Sequence, residues 1–178
     1  MEDKRIAVLV EDLFEDSELM EPVKRLKKAG AIVAVVGEKA SKIYTGKKGT
    51  TIRSTLSIDR AKIEDFDAIL IPGGYAPDKL RVNEKMVNFI KQANRRGKII
   101  AAICHGPQLL ITADVLRDRI LTSWPSVAID VKNAGGHYVD KAVVKDANLI
   151  TSRKPADIPD FVNAILNALT EKKVAYAS

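Results

Sequence analysis

The stretch RIAVLVEDLFEDSELMEPVKRLKKAGAIVAVV, Arg5 to Val36, decides the fold. Its opening, Arg5 to Val10, is a short run rich in Val and Ile that stops at acidic residues, which is the length and composition of a buried strand. From Ser17 to Ala29 the apolar period changes. Leu19, Met20, Val23 and Leu26 recur three and four residues apart, the spacing of one helix face, and Gly30 supplies the stop. Ile32 to Val36 is a second apolar strand. A β-α-β unit this compact calls for a parallel sheet with a right-handed crossover.

The alternation continues along the chain. Ala68 to Ile71 reads as a buried strand closed by Pro72, Gly73 and Gly74, and a helix follows from about Asn83 to Arg96 before Gly97. Ile99 to Ile103 is a further apolar strand that runs straight into Cys104. A short helix is expected at Gln108 to Thr112, then a loop with Trp124 and Pro125, a helix near Val127 to Asn133, and Gly135-Gly136. Ala142 to Val144 and Leu149 to Thr151 read as paired strands around the turn residues Asp146 to Asn148. Ile158 to Leu169 closes as an amphipathic helix with Phe161, Val162, Ile165, Leu166 and Leu169 on one face. Between Ser41 and Ile58 the pattern is polar with short β-branched pieces, as in a hairpin excursion. With no linker composition anywhere, residues 1–178 are expected to form one domain. Its class is α/β, flavodoxin-like and doubly wound, with a mostly parallel sheet, helices on both faces and any ligand at the carboxyl ends of the strands.

Composition narrows the function. Apolar residues make up 46% and charged residues 29% of the chain, as in ordinary globular proteins. The net charge of +6 invites a nucleic-acid reading, but Lys24, Arg25, Lys27 and Lys28 sit on a helix, while Arg95, Arg96 and Lys98 follow another. No aromatic residues interleave them to stack bases, so solvated faces are the better reading and specific nucleic-acid binding is not expected. Cys104, the single cysteine, cannot form an internal disulfide, and His105 and His137 beside it fall short of a four-ligand zinc site. The apolar run from Ile6 is too short for a signal-peptide core or a membrane span, so a cytoplasmic protein is expected. Neither a dinucleotide nor a phosphate-loop motif occurs; Gly46-Lys47-Lys48-Gly49-Thr50 is too short to be one, and no cofactor is expected.

Three loops at strand carboxyl ends carry unusual chemistry: Glu11 to Glu18, Pro72 to Asp78, and Cys104 to Gln108. Ala101-Ala102-Ile103-Cys104-His105-Gly106-Pro107 places a thiol at a strand-to-helix turn, in the manner of a nucleophile elbow. A helix starting just after the sulfur is expected to lower its pKa, and His105 stands ready as base or proton donor. Taken alone, the thiol is equally compatible with an inert buried cysteine. Gly73 and Gly74 let backbone N–H groups approach an oxyanion, although a plain tight turn also suits them. Within the acidic loop, Asp16 and Glu18 read as helix N-terminal charge compensation, and Glu15 as the carboxyl directed at the thiol.

Phe14-Glu15-Asp16, Pro72 to Asp78, Ile103 to Gln108 and Thr151-Ser152-Arg153 together resemble the PfpI/ThiJ family, with spacing that fits from about Arg5 to Leu169. The resemblance implies Cys104 as nucleophile, Glu15 as a protonated carboxyl bonded to it, His105 as catalytic neighbour, and Gly73 and Gly74 as oxyanion-binding amides. In the peptidase-like branch an acidic residue of the neighbouring subunit completes a triad; it maps onto Asp78, where many relatives carry the longer Glu. Trp124 stands where some relatives have Tyr and is read as packing over the site. The resemblance also implies a homo-oligomer, either a dimer or a hexamer built as a trimer of dimers.

Three functions follow from this reading. The first is hydrolysis of methylglyoxal or glyoxal adducts on proteins or nucleotides, as a deglycase or glyoxalase, because the Phe14 to Glu18 and Asp130 to Gly135 stretches look most like members so described. The second is a cysteine peptidase using Cys104, His105 and Asp78 across a subunit interface. The third is a redox-sensing stress protein or chaperone, in which the thiol oxidises.

Overall fold

The computed structural model describes residues 1–171. The unit that opens the chain forms as its periodicity predicts: β1 (Arg5–Leu9) and β2 (Ile32–Gly37) pair in parallel from Arg5 with Ile32 to Leu9 with Val36, and α1 (Asp16–Lys28) crosses between them. Next comes a hairpin of β3 (Ile43–Thr45) and β4 (Thr51–Arg53), which stays apart from the main sheet. The chain then returns as β5 (Leu56–Ser57), whose two residues pair in parallel with Val36 and Gly37.

The remaining strands are β6 (Ala68–Ile71), β7 (Ile99–Ile103), β8 (Ile120–Leu121), β9 (His137–Tyr138), β10 (Val143–Asp146) and β11 (Leu149–Ser152). The seven-stranded sheet runs β10-β11-β7-β6-β1-β2-β5. All its neighbours are parallel except β10, which pairs antiparallel with β11 through the tight turn read from Asp146 to Asn148. Strands β8 and β9 form a separate two-residue pair.

Period-two alternation divides the core. Ala7, Leu9, Ile69, Ile71, Ile100 and Ala102 face one side, where α3 (Glu84–Arg95), α4 (Pro107–Thr112) and α5 (Ala128–Asn133) pack. Ile6, Val8, Ala68, Leu70, Ala101 and Ile103 face the other, under α1 and α6 (Ile158–Thr170). Side chains such as Leu26 and Phe161 are completely buried there, each worth about 2 kcal/mol of transfer free energy. Helices on both faces of a mostly parallel sheet give the expected doubly wound architecture, with the order changing direction around β1 and β6.

Some elements depart from the sequence reading, the two-residue strands β8 and β9 among them. The Tyr75 to Asp78 region, expected only as loop, begins a short helix, α2 (Ala76–Leu80), which Pro77 near its start helps to set. The helix expected from Val127 begins as a single 3-10 turn over Pro125–Val127 before α5. Among the described residues no helix is long and apolar enough to cross a membrane.

Candidate active site at the β7–α4 turn

Cys104 ends β7 in the left-handed conformation, with φ +64°, a region that costs a non-glycine residue about 1 kcal/mol or more. The turn is held by main-chain bonds: Cys104 N–H donates to Ser152 at 3.0 Å, Trp124 N–H donates to Cys104 O at 2.9 Å, and Gly106 N–H donates to Ile103 O at 2.8 Å. Gly106 has no room for a side chain, since a Cβ there would lie 2.7 Å from Ile71 O and 2.9 Å from Ile103 O. This is the strand-to-helix elbow that the small residues around the thiol imply.

The two other loops are stitched together beside it. Phe14 and Gly74 form an antiparallel bridge, Glu15 N–H donates to Gly73 O at 3.1 Å, and Tyr75 N–H donates to Leu13 O at 2.8 Å. Gly74, at φ +82°, passes so near this strand that a Cβ would meet Glu15 N at 2.4 Å. All three loops singled out in the sequence therefore converge, but two site residues, Glu15 and Gly73, take different places from those expected.

The carboxyl beside the thiol is Glu18. Its Oε2 accepts from Gly73 N–H at 2.8 Å, the side chain is fully buried, and its Oε1 has no partner of ordinary hydrogen-bond geometry. A Cβ on Gly73 would sit 2.5 Å from Glu18 Oε2 and 2.7 Å from Cys104 Cβ, so the bare glycine is what lets acid and thiol close up. Glu15 instead turns outward and pairs with Lys47 at 2.9 Å and Lys48 at 3.7 Å. Helical phase explains the exchange. Glu15 is the residue before the first turn of α1, whereas Glu18 shares the buried stripe of Leu19, Pro22, Val23 and Leu26. That stripe was visible in the sequence and marks Glu18 as the inward-facing acid.

The amides are redistributed too. Gly73 N–H is occupied by Glu18, and the N–H groups that reach the sulfur are those of Gly74 and His105. Asp78 is exposed on α2 and bonds no side chain of its own chain among the described residues. The chain by itself does not assemble a Cys104, His105, Asp78 triad.

Ionisation follows this geometry. Burial first, and the charge of Glu18 next, push the Cys104 thiol up to about 12, against the lowering contributed by the Gly74 and His105 N–H groups. The helix that was expected to acidify it has only six residues and begins with a proline. Burial likewise raises Glu18 to about 7, opposed by the Gly73 N–H. Thiol and carboxyl titrate as a pair, and the form with a proton on Glu18 is the one in which a thiolate meets no like charge. His105 places Nδ1 3.4 Å from the sulfur and stacks on Trp124, with ring centroids 6.2 Å apart. Burial, then Lys47, hold it below the usual histidine value, so it is neutral at pH 7 and able to accept a proton.

Among the described residues, no group of three or more His, Cys, Asp and Glu is arranged to hold a metal. A hollow of about 770 Å³ lined by Glu11, Glu38, Lys79 and Lys85 opens elsewhere on the carboxyl edge and does not include Cys104.

The chain is similar over most of its length to known proteins. The DJ-1/PfpI family matches residues 4–168. Protein/nucleic acid deglycase 2 of Escherichia coli is 46% identical over 168 residues, covering 93% of this chain and 98% of the relative. General stress protein 18 of Bacillus subtilis is 46% identical over 171 residues, covering 95% and 99%. Among solved structures, a two-domain protein from Anabaena variabilis containing DJ-1/ThiJ/PfpI-like and ferritin-like domains superposes with a TM-score of 0.92 at 42% identity. That match takes in 98% of this chain and 53% of the other, so the chain spans about half the length of the two-domain protein.

Proposed function

The chain belongs to the DJ-1/PfpI family, and from that premise we propose that it is a cysteine-dependent hydrolase that cleaves early methylglyoxal or glyoxal adducts of amines and thiols. The observation that carries the reading is the strained Cys104 turn, with a proton-sharing acid and a neutral imidazole both beside the sulfur. The name of the Escherichia coli relative, a deglycase of protein and nucleic acid, supports it.

The chemistry balances without any outside oxidant. An amine adduct of methylglyoxal is a carbinolamine next to a ketone. Cys104 sulfur bonds to the carbinol carbon as the carbon–nitrogen bond breaks, and the amine leaves with a proton from the site. In the resulting hemithioacetal His105 takes the proton from the carbon attached to sulfur and returns it to the neighbouring carbon. That carbon is thereby reduced as the first is oxidised, leaving a thioester of the 2-hydroxy acid. Water hydrolyses the thioester, so adduct and water become amine and lactate, or glycolate from glyoxal. Developing negative charge on oxygen falls to the Gly74 and His105 amides. Purified protein should release lactate from a methylglyoxal-treated amino acid, measured with a coupled lactate assay, and Cys104→Ala should release none above background. Undiminished release by the variant overturns the reading.

A second reading rests on Asp78. Its carboxylate is exposed on α2, just after the Gly73-Gly74 loop, and bonds no side chain among the described residues, the arrangement needed if a neighbouring copy in a dimer, or in a hexamer built as a trimer of dimers, receives it at His105. Peptide-amide cleavage lost in both Cys104→Ser and Asp78→Ala, with a multimeric native mass, favours this peptidase. Hydroxy-acid release that survives Asp78→Ala with no peptide cleavage by wild type excludes it.

A further inference from the structure

The hairpin β3–β4 carries Gly46-Lys47-Lys48-Gly49-Thr50 at its tip, and that tip is anchored to the site. The Asp16 carboxylate accepts from the N–H groups of Lys48 and Thr50, each at 2.9 Å. Gly46 passes so close to it that a Cβ would lie 2.7 Å from the carboxylate. Lys47 N–H donates to Phe14 O at 2.9 Å, and Phe14 bridges to Gly74, whose N–H reaches the sulfur. The tip is thus one hydrogen-bonded step from the loop that holds the oxyanion-binding amide.

The Lys47 ammonium lies 2.9 Å from Glu15 and 5.3 Å above the Tyr75 ring. Its side chain is 34% exposed, against 77% for Lys48. Glu15 faces both lysines and Asp16 adds a second carboxylate at the tip, so the lip is balanced in charge, and Lys47 is the cation whose field acts on Cys104, His105 and Glu18. Partial burial and two fixed neighbours give Lys47 a defined position, whereas Lys48 is solvated and screened.

We propose that Lys47 is a specificity-determining residue of the thiol site, its ammonium receiving the carboxylate of an anionic carbonyl compound attacked by Cys104. The preferred substrates are then dicarbonyl adducts carried on groups with a nearby carboxylate, such as free amino acids or carboxylate-bearing thiols, over neutral adducts of the same carbonyl. This rests on the reading of Cys104 as the nucleophile.

Two measurements on the full chain separate the inference from that reading. Iodoacetate and iodoacetamide alkylate the same sulfur and differ in charge, so the ratio of their rates at Cys104 cancels any change in thiol ionisation. In Lys47→Met the iodoacetate to iodoacetamide ratio should fall about fivefold, the size of a partly screened ion pair. Lys47→Arg should restore most of it, and Lys48→Met should change it less. The second measurement is kcat/KM for hydroxy-acid release from the methylglyoxal hemithioacetals of N-acetylcysteine and its amide, where the preference for the acid should shrink in Lys47→Met by a similar factor through KM. A ratio and a preference both unchanged in Lys47→Met overturn the inference. A ratio that falls while wild type releases no hydroxy acid from either adduct upholds the anion-receiving lysine and removes the deglycase reading instead.

Discussion

The floor and the lip of the site are built from the same short stretch of chain and behave as opposites. On the floor, Glu18 and Cys104 lie against each other with almost no solvent and no cation in contact, and burial raises both. At the lip, Glu15 is also largely buried, yet it meets Lys47 and Lys48 and serves as a salt-bridge acceptor. Only Asp16 and Ser17 separate the two acids. The difference teaches that the neighbour, more than depth alone, decides what a carboxyl does: a thiol beside it makes a proton-sharing pair, and a lysine beside it makes a charged rim.

The comparison can be broken most decisively at the sulfur. Cys104→Ser should reduce hydroxy-acid release by roughly a thousandfold or more, because a serine hydroxyl without a strong base is a far weaker nucleophile; a coupled lactate assay reads this directly. Next in size is the pair itself. Removing the Glu18 charge in Glu18→Gln lowers the thiol, so alkylation by iodoacetamide at pH 8 should run about tenfold faster than in wild type, while Glu15→Gln should leave the rate within about twofold. Equal responses of the two variants would erase the distinction between floor and lip.

Stability against pH sharpens the same contrast. Glu18 is raised from its ordinary 4.5 to about 7, so the protonated form is favoured by folding. Its contribution, about 3 kcal/mol, is fully present below 4.5 and lost as pH rises to about 7. Urea denaturation should therefore show wild type losing stability relative to Glu18→Gln across that window. A flat difference would mean that the acid is not held on the floor. Gly73→Ala should cost about 1 to 3 kcal/mol by wedging a methyl group between Glu18 and Cys104, seen as a lower thermal midpoint. The smallest effect belongs to the lip: Asp16→Asn weakens the clamp on the β3–β4 tip and should cost about 1 kcal/mol in the same melts.

Much of the fold was legible because its signals are local. Ile6 to Val10 and Ile99 to Ile103 are too short and too apolar to be anything but buried strands, and the three- and four-residue spacing from Leu19 to Leu26 permits only a helix. The thiol at the end of an apolar strand, followed by Gly106 and Pro107, announced the elbow for the same reason. Helix α2 escaped notice because five residues carry no helical period, and its start after Gly74 is set by contacts with Leu13.

The site was legible in its membership and illegible in its pairings. Sequence alone determined that Cys104, His105, Gly73, Gly74 and an acid from the Glu11 to Glu18 loop would meet, because a doubly wound sheet delivers those loops to one edge. Only the tertiary structure decided that Glu18 rather than Glu15 lies under the sulfur, that Gly73 serves the acid while Gly74 and His105 serve the thiol, and that Lys47 reaches the rim from a distant hairpin. Those choices depend on helical phase, on the absence of side chains where backbones touch, and on where burial leaves a charge its only partner. None of these is a property of neighbouring residues in a chain.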